Sequence, residues 1–459
     1  MKAIDAAAAA AAGLLLTLAA CGGAGSPSMA QAPDAATAAR PGDATALAAA
    51  ARPIVGSDAD YADIIAAAAG STRILLGEST HGTHEYYRER ARLSERLIRE
   101  RGVNAIAIEG DWSPTLRVNL YVRGLGADAS VEQALGDYER FPEWMWPNTD
   151  FRDFLEGLRA WNLQRPAGER VGLYGMDVYD LYESADAVVA FLRQADPQAA
   201  ERARRRYRCF APYRRSTAQY GEATLGGRVS CSEEAEAVDA EVRRIPRPAD
   251  PAAAERHFAA VRSAASVVAA EEYFRTAYGG SLAWNVRDRR MAQNVEEIAA
   301  HVASVSGRPG KVVMWSHNTH SGDARATFAA DRGELNLGQL MRERHGEAAF
   351  LIGFFSYQGT VFAAPEWDAR GRIYQMRPAL PGSYSALFRE TGLASFSLLL
   401  RGNAEMARTL GGPMLERAIG VVYAPETERQ SHYFHAELAG QFDAAIYFER
   451  TTAVTPLRR

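Results

Sequence analysis

Short, uninterrupted apolar runs recur along the chain, separated by longer stretches in which apolar residues fall at helical spacing. The runs are Arg73 to Leu76, Asn104 to Ile108, Val171 to Tyr174, Val312 to Trp315, Phe350 to Phe355, Val421 to Tyr423 and Ala445 to Phe448. Continuous apolarity, in place of alternation, suits strands covered on both faces. Glu85 to Arg99, with Tyr87, Ala91, Leu93, Leu97 and Ile98, is one of the intervening helical patterns. Alternating strands and helices predict an α/β fold with a mostly parallel central sheet flanked by helices. Residues 184–300 hold long helical patterns and no convincing strand. They read as a helical insertion or subdomain between two halves of the sheet.

The N-terminus has a different pattern. An Ala/Leu run from Ala6 to Ala20 follows Lys2 and is too short to span a bilayer as a helix. It ends Leu18-Ala19-Ala20-Cys21-Gly22, which resembles a bacterial lipoprotein signal in which cleavage leaves Cys21 as the lipidated first residue. Residues 1–20 are thus expected to be removed, and Cys21 to hold the protein to a membrane at the bacterial cell envelope, on its periplasmic or surface side. Residues 21–50 are nearly devoid of large apolar side chains and are expected to form a flexible tether, although the Ala-rich stretch after Ala44 could begin a helix. Residues 51–459 are then the α/β domain.

The 459 residues are 47% apolar and 24% charged, enough for a substantial core. A net charge of −4 gives no general attraction to nucleic acid. The arginines at 202, 204, 205, 206, 208, 214 and 215 are more simply a solvated face than a binding patch. In an exported chain the remaining pair, Cys209 and Cys231, is expected to form one disulfide.

Candidate chemistry lies just beyond the apolar runs. Leu76 is followed by Gly77-Glu78-Ser79-Thr80-His81-Gly82-Thr83-His84, Ile108 by Glu109-Gly110-Asp111, Tyr174 by Gly175-Met176-Asp177, and Trp315 by Ser316-His317-Asn318-Thr319-His320. In parallel sheets the ligand crevice lies beyond the carboxyl ends of the strands, so four runs deliver carboxylates or imidazoles to one edge. A histidine is suited to take a proton from water, and a nearby carboxylate orients its ring. The Glu78-x-x-His81 spacing supplies that pair. An arginine on the next helix, Arg88, Arg90 or Arg92, could hold a carbonyl oxygen. Bland roles stay open: Glu78, Asp111 and Asp177 as helix caps, His84 and His320 as supporting or capping residues, and Glu143-Trp144-Met145-Trp146 as core or lid packing.

Taken in order, these motifs resemble the erythromycin esterase family. The resemblance rests on Gly77-Glu78-x-Thr80-His81-Gly82, Glu109-Gly110, Tyr174 to Asp177, Arg287-Asp288-x-x-Met291-Ala292-x-Asn294 and Trp315 to His320. Gly420 to Tyr423, Ser431 to Phe434 and Phe442 to Ala444 fit as well, so it spans about Ser71 to Pro456. It implies a hydrolase of esters, in some members a macrolide lactone, with an α/β core and no metal or other cofactor. It also implies that His81 activates water with Glu78, Arg90 and His317 as partners. From their places after the apolar runs, Glu109, Asp111, His84, His320 and Asp177 are expected to support the site or its small-molecule ester or lactone substrate. An envelope lipoprotein differs from the cytoplasmic resistance enzymes, so ester hydrolysis is expected before any macrolide substrate.

Three alternatives remain. Gly77-x-Ser79 on a strand-to-helix turn could present a serine nucleophile, though His81 stands where a nucleophile elbow needs glycine. His81, His84, His317, His320, Glu78 and Glu109 could bind a metal, but no HExxH pattern is present. The same cleft could bind haem or another small ligand without catalysis.

Overall fold

The computed structural model describes residues 42–57, 59–213, 215–277 and 281–458. The expected signal, Cys21 and the tether as far as residue 41 lie outside the described residues. Asp43–Ala50 is helical, and its Leu47 is fully buried, so the last eight residues of the expected tether belong to the folded domain.

In chain order the strands are β1 (Arg52–Pro53), β2 (Arg73–Leu76), β3 (Ala105–Ile108), β4 (Gly172–Gly175), β5 (Val312–Trp315), β6 (Ala349–Ala363), β7 (Arg372–Met376), β8 (Ser395–Leu399), β9 (Met414–Arg417), β10 (Tyr433–Ala436) and β11 (Ala444–Thr451). The main sheet runs β1-β8-β11-β6-β2-β5-β3-β4, with β7 added to β6, and β9 and β10 form a separate pair. From β11 to β4 every pairing is parallel, while β8, β1 and β7 join antiparallel. This is the mostly parallel α/β sheet expected.

The apolar runs became strands because both faces of the sheet are covered. Ile74 and Leu76 enter one core with Ile106, Ile108, Val313 and Trp315, whereas Leu75 enters the opposite core with Ala105, Ala107, Val312 and Met314. Helices His84–Arg101 and Thr149–Leu163 close the first face; Ser281–Ser306 and Leu337–His345 close the second. One expected run differs: Val421 to Tyr423 is a loop, with an isolated bridge from Val422 to Ala364 and Tyr423 packed on Val361, Ala363 and Met376.

Between β4 and β5 the described elements are all helical, including Tyr182–Ala195, Pro197–Arg206, Ser232–Arg243 and Pro251–Thr276, and they enclose small cores of their own. This layer does not divide the sheet into two halves in space. After it the chain returns to the middle of the sheet, inserting β5 between β2 and β3. Cys209 and Cys231 are joined in a disulfide. Among the described residues no helix is long and apolar enough to cross a membrane.

Candidate active site

The insertion of β5 creates the site. Leu76 pairs with Trp315, Trp315 with Ile108, and Ile108 with Gly175. Four strands therefore end level, and the residues after them emerge side by side at the carboxyl edge. They surround a cavity of about 130 Å³ lined by His81, His317, Glu109, Asp111, Asp177 and His320, together with Arg287, Trp284, Tyr179 and the Gly420–Val422 loop.

Close backbone packing sets the loop after β2. At Gly77 any Cβ would overlap the Asn318 side chain, and at Gly82, where φ is +64°, it would overlap the Phe362 carbonyl. Glycine at both positions lets the loop fold back so that His81 donates its backbone N–H to Ile419 O at 2.9 Å. The imidazole then meets Glu78, with His81 Nδ1 2.8 Å from Oε1. The other carboxylate oxygen accepts Arg90 Nη2 at 2.9 Å, and both Glu78 and Arg90 are fully buried. Glu78 is thus a partner of His81, not a helix cap. Arg90 stands behind that carboxylate and does not line the cavity, so it is not placed to hold a carbonyl oxygen. Arg88 and Arg92 turn away to Glu89.

His317 faces His81 with ring centroids 4.8 Å apart. Its backbone N–H donates to Glu109 Oε2 at 2.8 Å, and its Nδ1 accepts the Thr319 N–H at 3.3 Å. Burial, followed by the neighbouring His81, pushes the His317 pKa well below the usual imidazole range, so the ring is neutral. For Glu109, burial alone would favour the neutral acid. His320 and Arg287 outweigh it and hold the carboxyl well below its ordinary range.

Arg287 ties the second half of the site together. It donates to both oxygens of Asp177 at 2.7 and 2.8 Å, to Glu109 Oε1 at 2.8 Å, and to His320 Nε2 at 2.9 Å. His320 in turn meets Asp288 through Nδ1 at 2.9 Å and stacks on Trp284, with centroids 4.4 Å apart. Asp111 precedes helix Trp112–Val122 without capping it through its side chain; it accepts Arg140 Nε at 2.7 Å instead. Burial raises its pKa, with Arg140 offsetting part of the effect.

One expected supporting residue lies elsewhere. His84 pairs with Asp150 at 2.6 Å, is about one-third exposed and does not line the cavity. Trp144, Met145 and Trp146 are core residues, with Met145 and Trp146 also forming cavity wall. Sequence reasoning gave no role to Arg140, Trp284 or Tyr179, and it took Arg287 and Asp288 only as parts of a motif. Arg287-Asp288 was the available signal, a charged pair on a helix whose Met291 and Ala292 are fully buried. Ser79 Oγ is engaged with Tyr86 Oη at 2.9 Å, and the Tyr86 ring packs against Phe354 and Phe448. No cluster of three or more His, Cys, Asp or Glu suited to a metal occurs among the described residues.

Fold and site together define an α/β protein that gathers imidazoles and paired carboxylates at the carboxyl edge of parallel strands. The model of the family described as erythromycin esterase matches residues 98–451, and the chain belongs to that family. A Bacillus cereus protein of known structure is 18% identical with a TM-score of 0.74, over 91% of this chain and 98% of its own. A succinoglycan biosynthesis protein is 17% identical with a TM-score of 0.72, over 90% and 98%. An erythromycin esterase mutant in its open conformation is 14% identical with a TM-score of 0.59, over 85% and 93%. These likenesses show the fold, and membership of the family supports an esterase-type hydrolase. Glu78, His81 and Arg90 precede the matched span, so their case rests on the geometry above.

Proposed function

We propose that this chain hydrolyses a carboxylic ester or lactone of a small molecule, with His81 taking the proton from the attacking water. The observation that carries the reading is the buried line Arg90–Glu78–His81 ending at the cavity. With Arg90 donating to Oε2 of Glu78, Oε1 accepts the Nδ1–H of His81. The other ring nitrogen, Nε2, then keeps its lone pair for water.

Water attacks the carbonyl carbon as His81 Nε2 removes its proton. The carboxylate of Glu78 stabilises the imidazolium so formed. On collapse the bond from carbon to the alkoxy oxygen breaks, and the leaving oxygen takes the proton back from His81. The products are an acid and an alcohol, or a single opened hydroxy acid from a lactone. Every step uses water and protein groups alone, so a chelator is expected to leave the rate unchanged.

A panel of aryl esters, aliphatic lactones and a macrolide, assayed with wild type and His81→Ala, tests the reading. Hydrolysis that falls at least ~100-fold in the variant supports it. Turnover that survives the substitution overturns it. We place this activity at the cell envelope, tethered through lipidated Cys21. Incorporation of a labelled fatty acid by the full chain, abolished in Cys21→Ala, is the corresponding test.

A further inference from the structure

We propose that the helical layer carries a docking surface for an anionic membrane, an apolar groove bordered by exposed arginines along helix Tyr182–Ala195. The proposal builds on the envelope location given above and is independent of ester hydrolysis.

Burial decides which side of this layer faces out. Helix Tyr182–Ala195 turns Val188, Val189 and Leu192 into a small core, and helix Pro197–Arg206 adds Ala199, Ala200 and Ala203. Ala190 and Arg193 of the first helix are left exposed, as are Arg204, Arg205 and Arg206 of the second. Two grooves meet at Ala190, which lines both. One, of about 380 Å³, is walled by Leu116, Leu120, Leu125, Phe191 and Ala259, with Arg256 beside them. Leu125 there is 42% exposed. The other, of about 610 Å³, is lined by Arg193, Arg204, Arg208 and Arg215 next to Tyr182 and Phe210. Apolar side chains bordered by cations match the boundary between acyl chains and anionic headgroups.

The charge is local and largely uncommitted. Residues 193–228 carry nine arginines against Asp196, Glu201 and Glu222, in a chain whose net charge is −4. Arg215 pairs with Glu183 and Asp186 at 2.9 Å each, which neutralises the acids at the groove's edge. Arg193, Arg205, Arg206, Arg208 and Arg256 have no ion pair among the described residues. A solvated face would explain these arginines alone, but it has no need of an adjoining apolar groove. A soluble anion would likewise leave Leu120, Leu125 and Phe191 without a partner. A bilayer with anionic headgroups satisfies both halves of the surface. The 21 positions from Cys21 to Gly42 reach at most about 70 Å, so an anchored domain stays near enough to settle on it.

The test uses the full chain with Cys21→Ala, which removes the site for acyl chains. Its partner is the same chain with Arg193→Gln, Arg204→Gln and Arg208→Gln. Co-sedimentation is measured with vesicles of phosphatidylcholine alone and with vesicles containing one-third phosphatidylglycerol. The two proteins share residues 1–41, so the difference between them reads the patch. The parent should bind the anionic vesicles at least ~10-fold more tightly than the neutral ones, and the triple variant should lose about tenfold or more of that affinity. Raising the salt from about 0.05 to 0.5 M should remove most of the preference. Leu125→Ser should weaken binding to anionic vesicles about threefold or more. Equal binding of the two vesicle types, or an unchanged triple variant, overturns the proposal. So does displacement by millimolar inorganic phosphate at constant ionic strength, which would assign the arginines to a soluble anion. Should the triple variant not fold, hydrogen exchange of the parent decides: slowed exchange over residues 185–215 on anionic vesicles supports the surface, and no change overturns it. Fatty-acid labelling of Cys21 reads the anchor separately. Its absence removes that reading, while vesicle binding alone decides this one.

Discussion

Arg90 places Nη2 2.9 Å from Oε2 of Glu78, and neither side chain reaches solvent. The guanidinium also lies over the rings of Tyr87 and Trp315, at 4.6 and 4.9 Å. Its work is on the carboxylate behind His81. Removing the arginine alone would leave a buried carboxylate without its counter-charge, which typically costs about 3–5 kcal/mol. Arg90→Met is expected to lose that much in urea unfolding. Arg90→Met combined with Glu78→Gln, where the charge has gone as well, should lose less than Arg90→Met alone. Equal losses in the single and double variants would show that the pair is not coupled.

Glu78→Gln probes orientation apart from burial. The amide fits the same space, but it no longer fixes the Nδ1–H form of His81 or stabilises the imidazolium. The expected result is a fall in kcat of about 10²–10⁴ with KM nearly constant. Steady-state kinetics check this, with a melting curve to show that the variant is folded. A change confined to KM would assign Glu78 to binding.

The parallel half of this fold was legible because its strands are covered on both faces. Arg73–Leu76 and Val312–Trp315 coincide with their apolar runs, and β3, β4, β6 and β11 each contain or overlap theirs. The antiparallel strands were not legible. β7 is mostly exposed, and β9 carries Glu416 and Arg417 fully buried, which no apolar pattern announces. Gly420 to Tyr423 misled because its apolar residues form cavity wall and loop. At the site, residues just after the runs could be found, since strand ends fix their edge. The Arg287 network could not be built from spacing: Arg287 meets Asp177 across 110 residues and Glu109 across 178. Only the docking of helix Ser281–Ser306 on the sheet brings them together.

The Cys209–Cys231 disulfide joins positions 22 apart and ties the 3₁₀ segment Tyr207–Tyr213 to the start of helix Ser232–Arg243. A closed loop of this length restricts the unfolded chain by roughly 3 kcal/mol. Replacing both cysteines by alanine should lower stability by about that amount, and limited proteolysis should first cut between the two positions. Because these residues lie outside the cavity lining, kcat at low temperature should stay near wild type. A variant as stable as wild type would show that the helical packing alone holds this layer.

Glu416 supplies the sharpest pH prediction. It lies fully buried on β9, where burial raises its pKa from 4.5 to about 8, against the partly opposing hydrogen bonds of Asn318 and Gln441. The folded state therefore keeps a proton that the unfolded chain releases above about pH 4.5. This contribution is complete at acid pH and is lost as pH rises through about 8. His432 works in the opposite sense. Burial lowers its pKa from 6.5 to about 4, so its contribution is present above 6.5 and is lost as pH falls toward 4. The wild-type stability curve then mixes two slopes, and only a difference between proteins isolates Glu416. Glu416→Gln presents the neutral donor at every pH. Relative to wild type it should gain on the order of 3–5 kcal/mol between acid and mildly alkaline conditions. Urea unfolding of both proteins at matched pH values reads this difference, and a gap that does not widen as pH rises would show that Glu416 is charged in the folded protein.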